Sequence, residues 1–384
     1  MIYLDNAATS WPKPNCVNEA ITRFLRDVGA NPGRSGHRLA NEAERIRFDA
    51  REGIAALLGV SDPLRIAFTL NATTALNIVI QGLLPPGAHV VTTGIEHNAV
   101  LRPLRMLEQR GVSISIAPCG RDGGMDAAVI DDFIRPETRL IVANHASNVS
   151  GTVLPIRQIG ERARARGIPF LVDAAQTAGC LPINLDADNI DVLAFTGHKG
   201  LLGPTGTGGL AIHDDVDVGC LPPLICGGTG SRSEHQVQPD FLPDKYEGGT
   251  PNSVGLAGLA ASVRYVLDRG VETIRAHEKR FAGRLIDGLG RIPRITVVGP
   301  GDPVRQTAIV SFIIDGLSCS NVALALDEQF EIMCRPGLHC APLAHSSLGT
   351  LPDGTVRFAP GPHTTEGEID QAIAAVVRLA GAEA

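Results

Sequence analysis

Between residues 66 and 212, short apolar runs alternate with stretches of helical spacing. The runs are Ile66–Leu70, His89–Thr92, Ser113–Ala117, Leu140–Ala143, Phe170–Val172, Val192–Phe195 and Gly209–Ile212, with helix-like segments at 73–83, 99–110 and 156–166. This alternation predicts an α/β fold with a mostly parallel seven-stranded sheet covered by helices on both faces. Ligands of such sheets sit beyond the carboxyl ends of the strands. Two of the runs carry chemistry there. Phe170-Leu-Val172 leads into Asp173, and Val192-Leu-Ala-Phe195 leads into Thr196-Gly-His-Lys199.

A lysine at the end of a buried strand, between glycines and beside a histidine, is poorly placed for a solvated charge. Desolvation lowers a lysine pKa, and the free amine then adds to an aldehyde. For an isolated lysine a surface loop is the simpler reading, and Asp173 changes that. Pyridoxal phosphate needs a lysine for its aldehyde and an acid for its pyridinium nitrogen. Asp173 and Lys199 are 26 residues apart, which leaves room for a crossover and one more strand.

Three further motifs flank the Gly197-His-Lys199 core in order: Tyr3-Leu-Asp-Asn-Ala-Ala-Thr9, Ser147-Asn-Val-Ser-Gly-Thr152 and Gly249-Thr-Pro-Asn252. From residue 3 to near the end, the chain resembles the class V aminotransferases of pyridoxal-phosphate fold type I. More narrowly, it resembles the cysteine desulfurases, and among these the group II and selenocysteine lyase-like members. The resemblance implies a large cofactor-binding domain over 13–255. It implies a smaller α+β domain from 1–12 and 256–384 that carries a catalytic cysteine loop.

The resemblance also assigns site residues. Lys199 holds the cofactor and moves protons, and Asp173 meets the ring nitrogen. His97, in Glu96-His-Asn98, stacks on the ring. Asn148 lies near the ring and the substrate carboxylate, and Gln176 meets the phenolic oxygen. Asn71-Ala-Thr-Thr74 follows a strand and opens a helix, so it reads as a helix cap or as a phosphate site formed by Ala72 and Thr73. Thr196 and His198 add contacts beside the lysine. Thr250 reaches the phosphate of a neighbouring subunit, which implies a homodimer. The Gly203–Gly209 run is not a nucleotide phosphate loop, because the lysine precedes the glycines. It reads as a turn that brings the backbone close to the cofactor.

Reaction type turns on Cys334-Arg-Pro-Gly-Leu-His-Cys340-Ala-Pro-Leu-Ala-His345. Cys340 could be a small buried residue or, with Cys334, His339 and His345, part of a metal site. The spacing fits no standard zinc pattern, so no metal is expected. It could also be a nucleophile, with a neighbouring histidine or the substrate handling its proton. Arg335 to Cys340 resembles the catalytic loop of group II desulfurases, with Leu338 in place of a histidine. Arg357 and Arg335 are candidates to grip the substrate carboxylate through paired hydrogen bonds.

These readings predict conversion of L-cysteine to L-alanine, with a persulfide on Cys340 passed to an acceptor thiol or protein. A C–S β-lyase acting on cysteine or cystine needs the same lysine and aspartate but no nucleophilic cysteine. Selenocysteine lyase is a further alternative, and a non-catalytic sulfur carrier that kept the fold is a third. Composition excludes other classes. Aromatics at 4% and a net charge of −7 without a basic run argue against nucleic acid. No apolar run approaches a membrane span, and the opening residues lack a signal-peptide pattern. Eight cysteines without CxxC pairs suit reduced thiols in a cytoplasm.

Overall fold

The computed structural model describes residues 1–33 and 35–381; Arg34, in the turn-rich Asn31–His37 segment, and 382–384 lie outside the described residues. An extended arm containing strand β1 (Ile2–Tyr3) leads into α1 (Asn15–Arg23), which runs on as one π turn over Phe24–Val28 and stops at Gly29. Helix α2 (Arg38–Leu58) begins where the His37 side chain accepts from the Ala40 N–H. It ends at Gly59, whose φ of 68° suits a residue without a Cβ.

The central sheet is built from β2 (Ile66–Thr69), α3 (Ala72–Leu83), β3 (His89–Thr93), α4 (Asn98–Glu108), β4 (Ser113–Ala117), β5 (Thr138–Asn144), α5 (Ile156–Arg164), β6 (Phe170–Asp173), β7 (Val192–Thr196) and β8 (Gly208–Ile212). Its order is β2-β8-β7-β6-β5-β3-β4. Strand β8 alone runs against the others, because it returns directly beside β7 without a crossover helix. The strands read as continuous apolar runs because both faces are buried. In β5, Ile141 and Ala143 face one core while Leu140 and Val142 face the other. Phe170 and Val172 of β6 alternate with Leu171 in the same way.

Helix α6 (Ser253–Arg269) lies along α1 and α2, where Gly53 leaves room for Val263; a Cβ there would come within 2.9 Å of Val263 Cγ1. Helix α7 (Val271–Gly290) then enters a second core. That core is closed by β9 (Ile295–Val298), β10 (Val310–Ile314), α8 (Cys319–Phe330), β11 (Ile332–Met333), β12 (Arg335–Gly337), β13 (Thr355–Phe358) and α10 (Glu366–Leu379), while α9 (Pro342–Leu348) sends Ala344 and Leu348 into the core of the central sheet. The antiparallel sheet β12-β13-β10-β9 packs α7, α8 and α10, while β1 pairs with β11 in parallel. Thr365 and Glu368 cap α10 reciprocally. Among the described residues, no helix is long and apolar enough to cross a membrane.

Candidate active site

The carboxyl ends of β2, β3, β5, β6 and β7 open onto one cavity of about 470 Å3. Asp173 closes β6 there, 3% exposed, with Oδ1 accepting the Ala175 N–H at 2.9 Å. Burial pushes its carboxyl up, while that N–H and the charge of Lys199 pull it back. Lys199 follows β7 by three residues and borders the same cavity. Burial lowers its ammonium to about 8, with Asp173 opposing and Arg357 and Arg335 assisting. A buried carboxylate with one donor calls for a second, cationic donor. A pyridinium N–H supplies one.

Helix α3 forms the opposite wall. The Asn71 carboxamide accepts the Thr74 N–H at 2.9 Å, so the cap reading of this motif holds. The N–H groups of Ala72 and Thr73 come earlier and have no acceptor within the helix. Both residues border the cavity, which leaves an anion site at a helix N-terminus. Gly208 makes this approach possible: a Cβ there would lie 2.7 Å from Asn71 Cα. The glycine run before β8 thus seats the helix that would hold a phosphate.

His97 caps α4, and its Nδ1 accepts the Ala99 N–H at 3.0 Å. Burial and Lys199 lower it to about 4, so the ring is neutral with its proton on Nε2. Asn148, Gln176, Thr196 and His198 complete the cavity. Among the described residues, Asn148 Oδ1 and His198 Nδ1 are buried without hydrogen-bond partners. An anion cradle, an unpaired carboxylate and two orphaned polar atoms around one slot fit pyridoxal 5′-phosphate.

Cys340 lies on the loop between β12 and α9 and is exposed, so it is not a buried packing residue. His339 and Cys340 both have left-handed backbones, φ 49° and 60°. Each non-glycine residue in that region costs about 1 kcal/mol. Three contacts hold the loop in place. The Asn98 N–H donates to the Cys340 carbonyl (2.9 Å), Asn148 Nδ2 donates to the His339 carbonyl (2.6 Å), and Arg335 Nη2 lies 3.4 Å from Cys340 Sγ. His339 is not the proton partner that its adjacency suggests. Its ring turns inward to Thr355 (3.1 Å) beside His345, and burial pulls it down to about 2. Among the described residues, no group of three His, Cys, Asp or Glu side chains could hold a metal ion, and all eight cysteines are free.

The two candidate arginines differ. Arg357 is 1% exposed, paired with Asp5 at 2.7 Å and bonded to the Asn148 carbonyl at 2.9 Å; Arg335 is half-buried beside the thiol. Asp5 lies 352 positions from its partner, and no sequence signal links them. Glu96 also escaped a sequence assignment. It is fully buried, burial pushes it up to about 8, and its Oε1 accepts from Thr93 and the Asn144 N–H, fixing the turn that carries His97.

Thr250 does not border the cavity. It lies in a groove of about 900 Å3 with Leu70, Leu224 and Ile225, all three exposed. Its loop is anchored by the preceding Glu247, whose buried carboxylate accepts from Arg51 (2.8 Å) and the Phe68 N–H (2.7 Å). We expect Glu247→Ala to destabilise the fold by about 3–5 kcal/mol, because it leaves Arg51 buried and unpaired. Urea denaturation would measure this, and a loss below about 1 kcal/mol would contradict it.

The Aminotransferase class-V family model matches residues 2–372. A probable cysteine desulfurase of Methanothermobacter thermautotrophicus is 37% identical over 96% of this chain and 92% of its own length. Probable cysteine desulfurase 2 of Mycobacterium leprae is 32% identical over 98% and 91%. Among solved structures, the apo form of a cysteine desulfurase from Thermococcus onnurineus superposes with a TM-score of 0.91 at 33% identity, covering 99% of this chain and 94% of that one. A cysteine desulfurase from Escherichia coli gives 0.87 at 29%, covering 98% and 94%.

Proposed function

The chain belongs to the aminotransferase class-V family, and from that premise we propose a pyridoxal-phosphate-dependent cysteine desulfurase. The observation that carries the reading is an exposed cysteine beside Arg335, on a loop hydrogen-bonded to Asn148 of the cofactor cavity and to Asn98, next to the cavity residue His97. The relatives named above supply the reaction class.

When bound, pyridoxal phosphate supplies an aldehyde for the lysine and a ring that withdraws electrons from the substrate carbons. Asp173 holds the ring nitrogen. The helix N-terminus at Ala72 and Thr73 holds the phosphate, with Thr196 and His198 beside it. Gln176 and neutral His97 fix the ring, and Arg357, Arg335 and Asn148 orient the substrate carboxylate. Lys199, with an amine available near neutral pH, removes the substrate Cα proton and returns a proton to carbon. The Cys340 thiolate bonds to the substrate sulfur as the C–S bond breaks, and the electron pair returns to carbon. L-Cysteine leaves as L-alanine, and its sulfur stays on Cys340 as a persulfide for an acceptor thiol or protein.

We divide the chain into a cofactor domain over 13–255 and a smaller one from 1–12 and 256–384, with the cysteine loop in the second. The exposed groove around Thr250, lined by Leu70 and Ile225, supports a homodimer in which each Thr250 reaches the partner's phosphate. Eight free thiols support a cytoplasmic setting.

The test is a product assay on the purified protein with L-cysteine and a reducing thiol. Alanine and sulfide in equal amounts are expected. Pyruvate in place of alanine would replace the desulfurase with a β-lyase.

A further inference from the structure

Lys199 borders a second cavity between the N-terminal arm, the residues after β6 and helix α7. Among the described residues, only Gln176 and Lys199 border both this cavity and the one for the cofactor. The lysine therefore stands in the wall between two compartments.

The far side of the second cavity holds Glu278 of α7, 5% exposed, and Thr307, 3% exposed. The Glu278 carboxyl lies against the Cys180 thiol. Its Oε2 and the Thr307 hydroxyl are buried with no hydrogen-bond partner among the described residues. A buried charged carboxylate is normally paired or hydrogen-bonded. Here Arg275, one turn earlier on α7, sends Nη2 to the carbonyls of Pro303 and Val304 at 3.0 and 3.2 Å instead. Buried polar atoms without a protein partner are normally satisfied by water.

We propose that Glu278 is the proton-exchange partner of Lys199, joined to it by water held in this second cavity. The proposal rests on the reading of Lys199 as the base that takes the Cα proton. The ammonium that results passes its proton through water to the Glu278 carboxylate, and the reverse transfer restores it for delivery to carbon. Only N–H and O–H bonds change, and the net charge of the buried space stays constant. A carboxylate across the cavity is thus a partner that creates no new buried charge.

The proton affinities suit this exchange. Burial pushes Glu278 up to about 7 and lowers Lys199 to about 8. Transfer between matched groups is nearly balanced in both directions. The groups acting on Glu278 are the Cys180 thiol from the segment after β6 and Arg275 from its own helix, and Lys199 borders the same cavity. The first two favour the carboxylate, against the larger effect of burial.

The test uses the holoenzyme in D2O with L-alanine, following loss of the Cα proton signal by NMR. Glu278→Gln keeps the shape but cannot accept the proton. It should slow exchange about tenfold with little change in the KM for cysteine, and Glu278→Asp should recover part of the rate. A second arm uses the apoprotein. Glu278 has a folded-state pKa of about 7 against an ordinary 4.5, so the folded state holds its proton more tightly. That stabilisation is present below 4.5 and is lost as pH rises through about 7. Glu278→Gln should flatten this fall in urea denaturation.

Equal Cα exchange in wild type and Glu278→Gln would overturn the relay, as would an unchanged pH slope in the apoprotein. Thr307→Val offers a milder change and should also slow exchange; a wild-type rate there would remove the water path. Should wild type yield pyruvate from cysteine, the desulfurase reading falls, while the exchange comparison still judges the relay. Cα deprotonation by Lys199 is common to both reactions.

Discussion

Cys340→Ala should cut formation of alanine and sulfide from L-cysteine by about three orders of magnitude or more. It should leave the visible absorbance of the bound cofactor unchanged. The second half of this expectation is structural. Cys340 meets the cofactor cavity through backbone contacts, with its carbonyl accepting from Asn98 and the neighbouring His339 carbonyl accepting from Asn148. Alanine keeps that backbone and removes only the sulfur. The thiol has no neutral histidine to take its proton, because His339 faces Thr355. Arg335 is the side chain within reach of Sγ, so Arg335→Ala should also slow sulfur transfer. Undiminished alanine formation by Cys340→Ala would make Cys340 a loop residue without chemistry.

Lys199→Ala should abolish both the visible spectrum and Cα exchange, the latter by about 10⁴-fold. Lys199→Arg should fare no better. It restores a cation opposite Asp173 but offers no free amine, since a guanidinium does not lose its proton in proteins. Cofactor affinity, measured by titrating apoprotein, should fall less than activity. Asp173, the helix N-terminus at Ala72–Thr73 and neutral His97 remain to hold ring and phosphate. Retained Cα exchange in Lys199→Ala would move the base elsewhere and remove the ground for the Glu278 relay.

The central sheet was readable because its strands are buried on both faces, so each appears as an uninterrupted apolar run. The ends of β6 and β7 could be placed within one residue from those runs, and with them Asp173 and Lys199. Helix α9 was not readable. It is 7 residues long, begins with Pro342, and its sequence is full of loop formers. The pairing of Asp5 with Arg357 depends on an arm crossing the whole fold, which no local pattern encodes. Glu278 did leave a trace. Ile274, Glu278, Phe281 and Leu285 lie on one face of α7; Phe281 and Leu285 belong to the second core, and Ile274 packs with Leu202 and Val266. A carboxylate in an apolar stripe is the signal that could have singled it out.

The arm that carries Asp5 links the two ends of the chain. Ile2 and Tyr3 pair with Ile332 and Met333, Ala359 donates to the Leu4 carbonyl, and Thr9, Ser10 and Lys13 converge on the carbonyl of His198 beside Lys199. On a ribosome, the strand partners of the arm, Ile332 and Met333, are made more than three hundred residues later, about 20 to 70 seconds at common synthesis rates. Strands β2 to β8 can meanwhile assemble behind it. The lysine pocket is therefore sealed late, after the large sheet exists and the last strand has been made. A nascent chain stalled before Ile332 would carry every residue of the cofactor cavity yet lack both the cysteine loop and the strand that holds the arm across it.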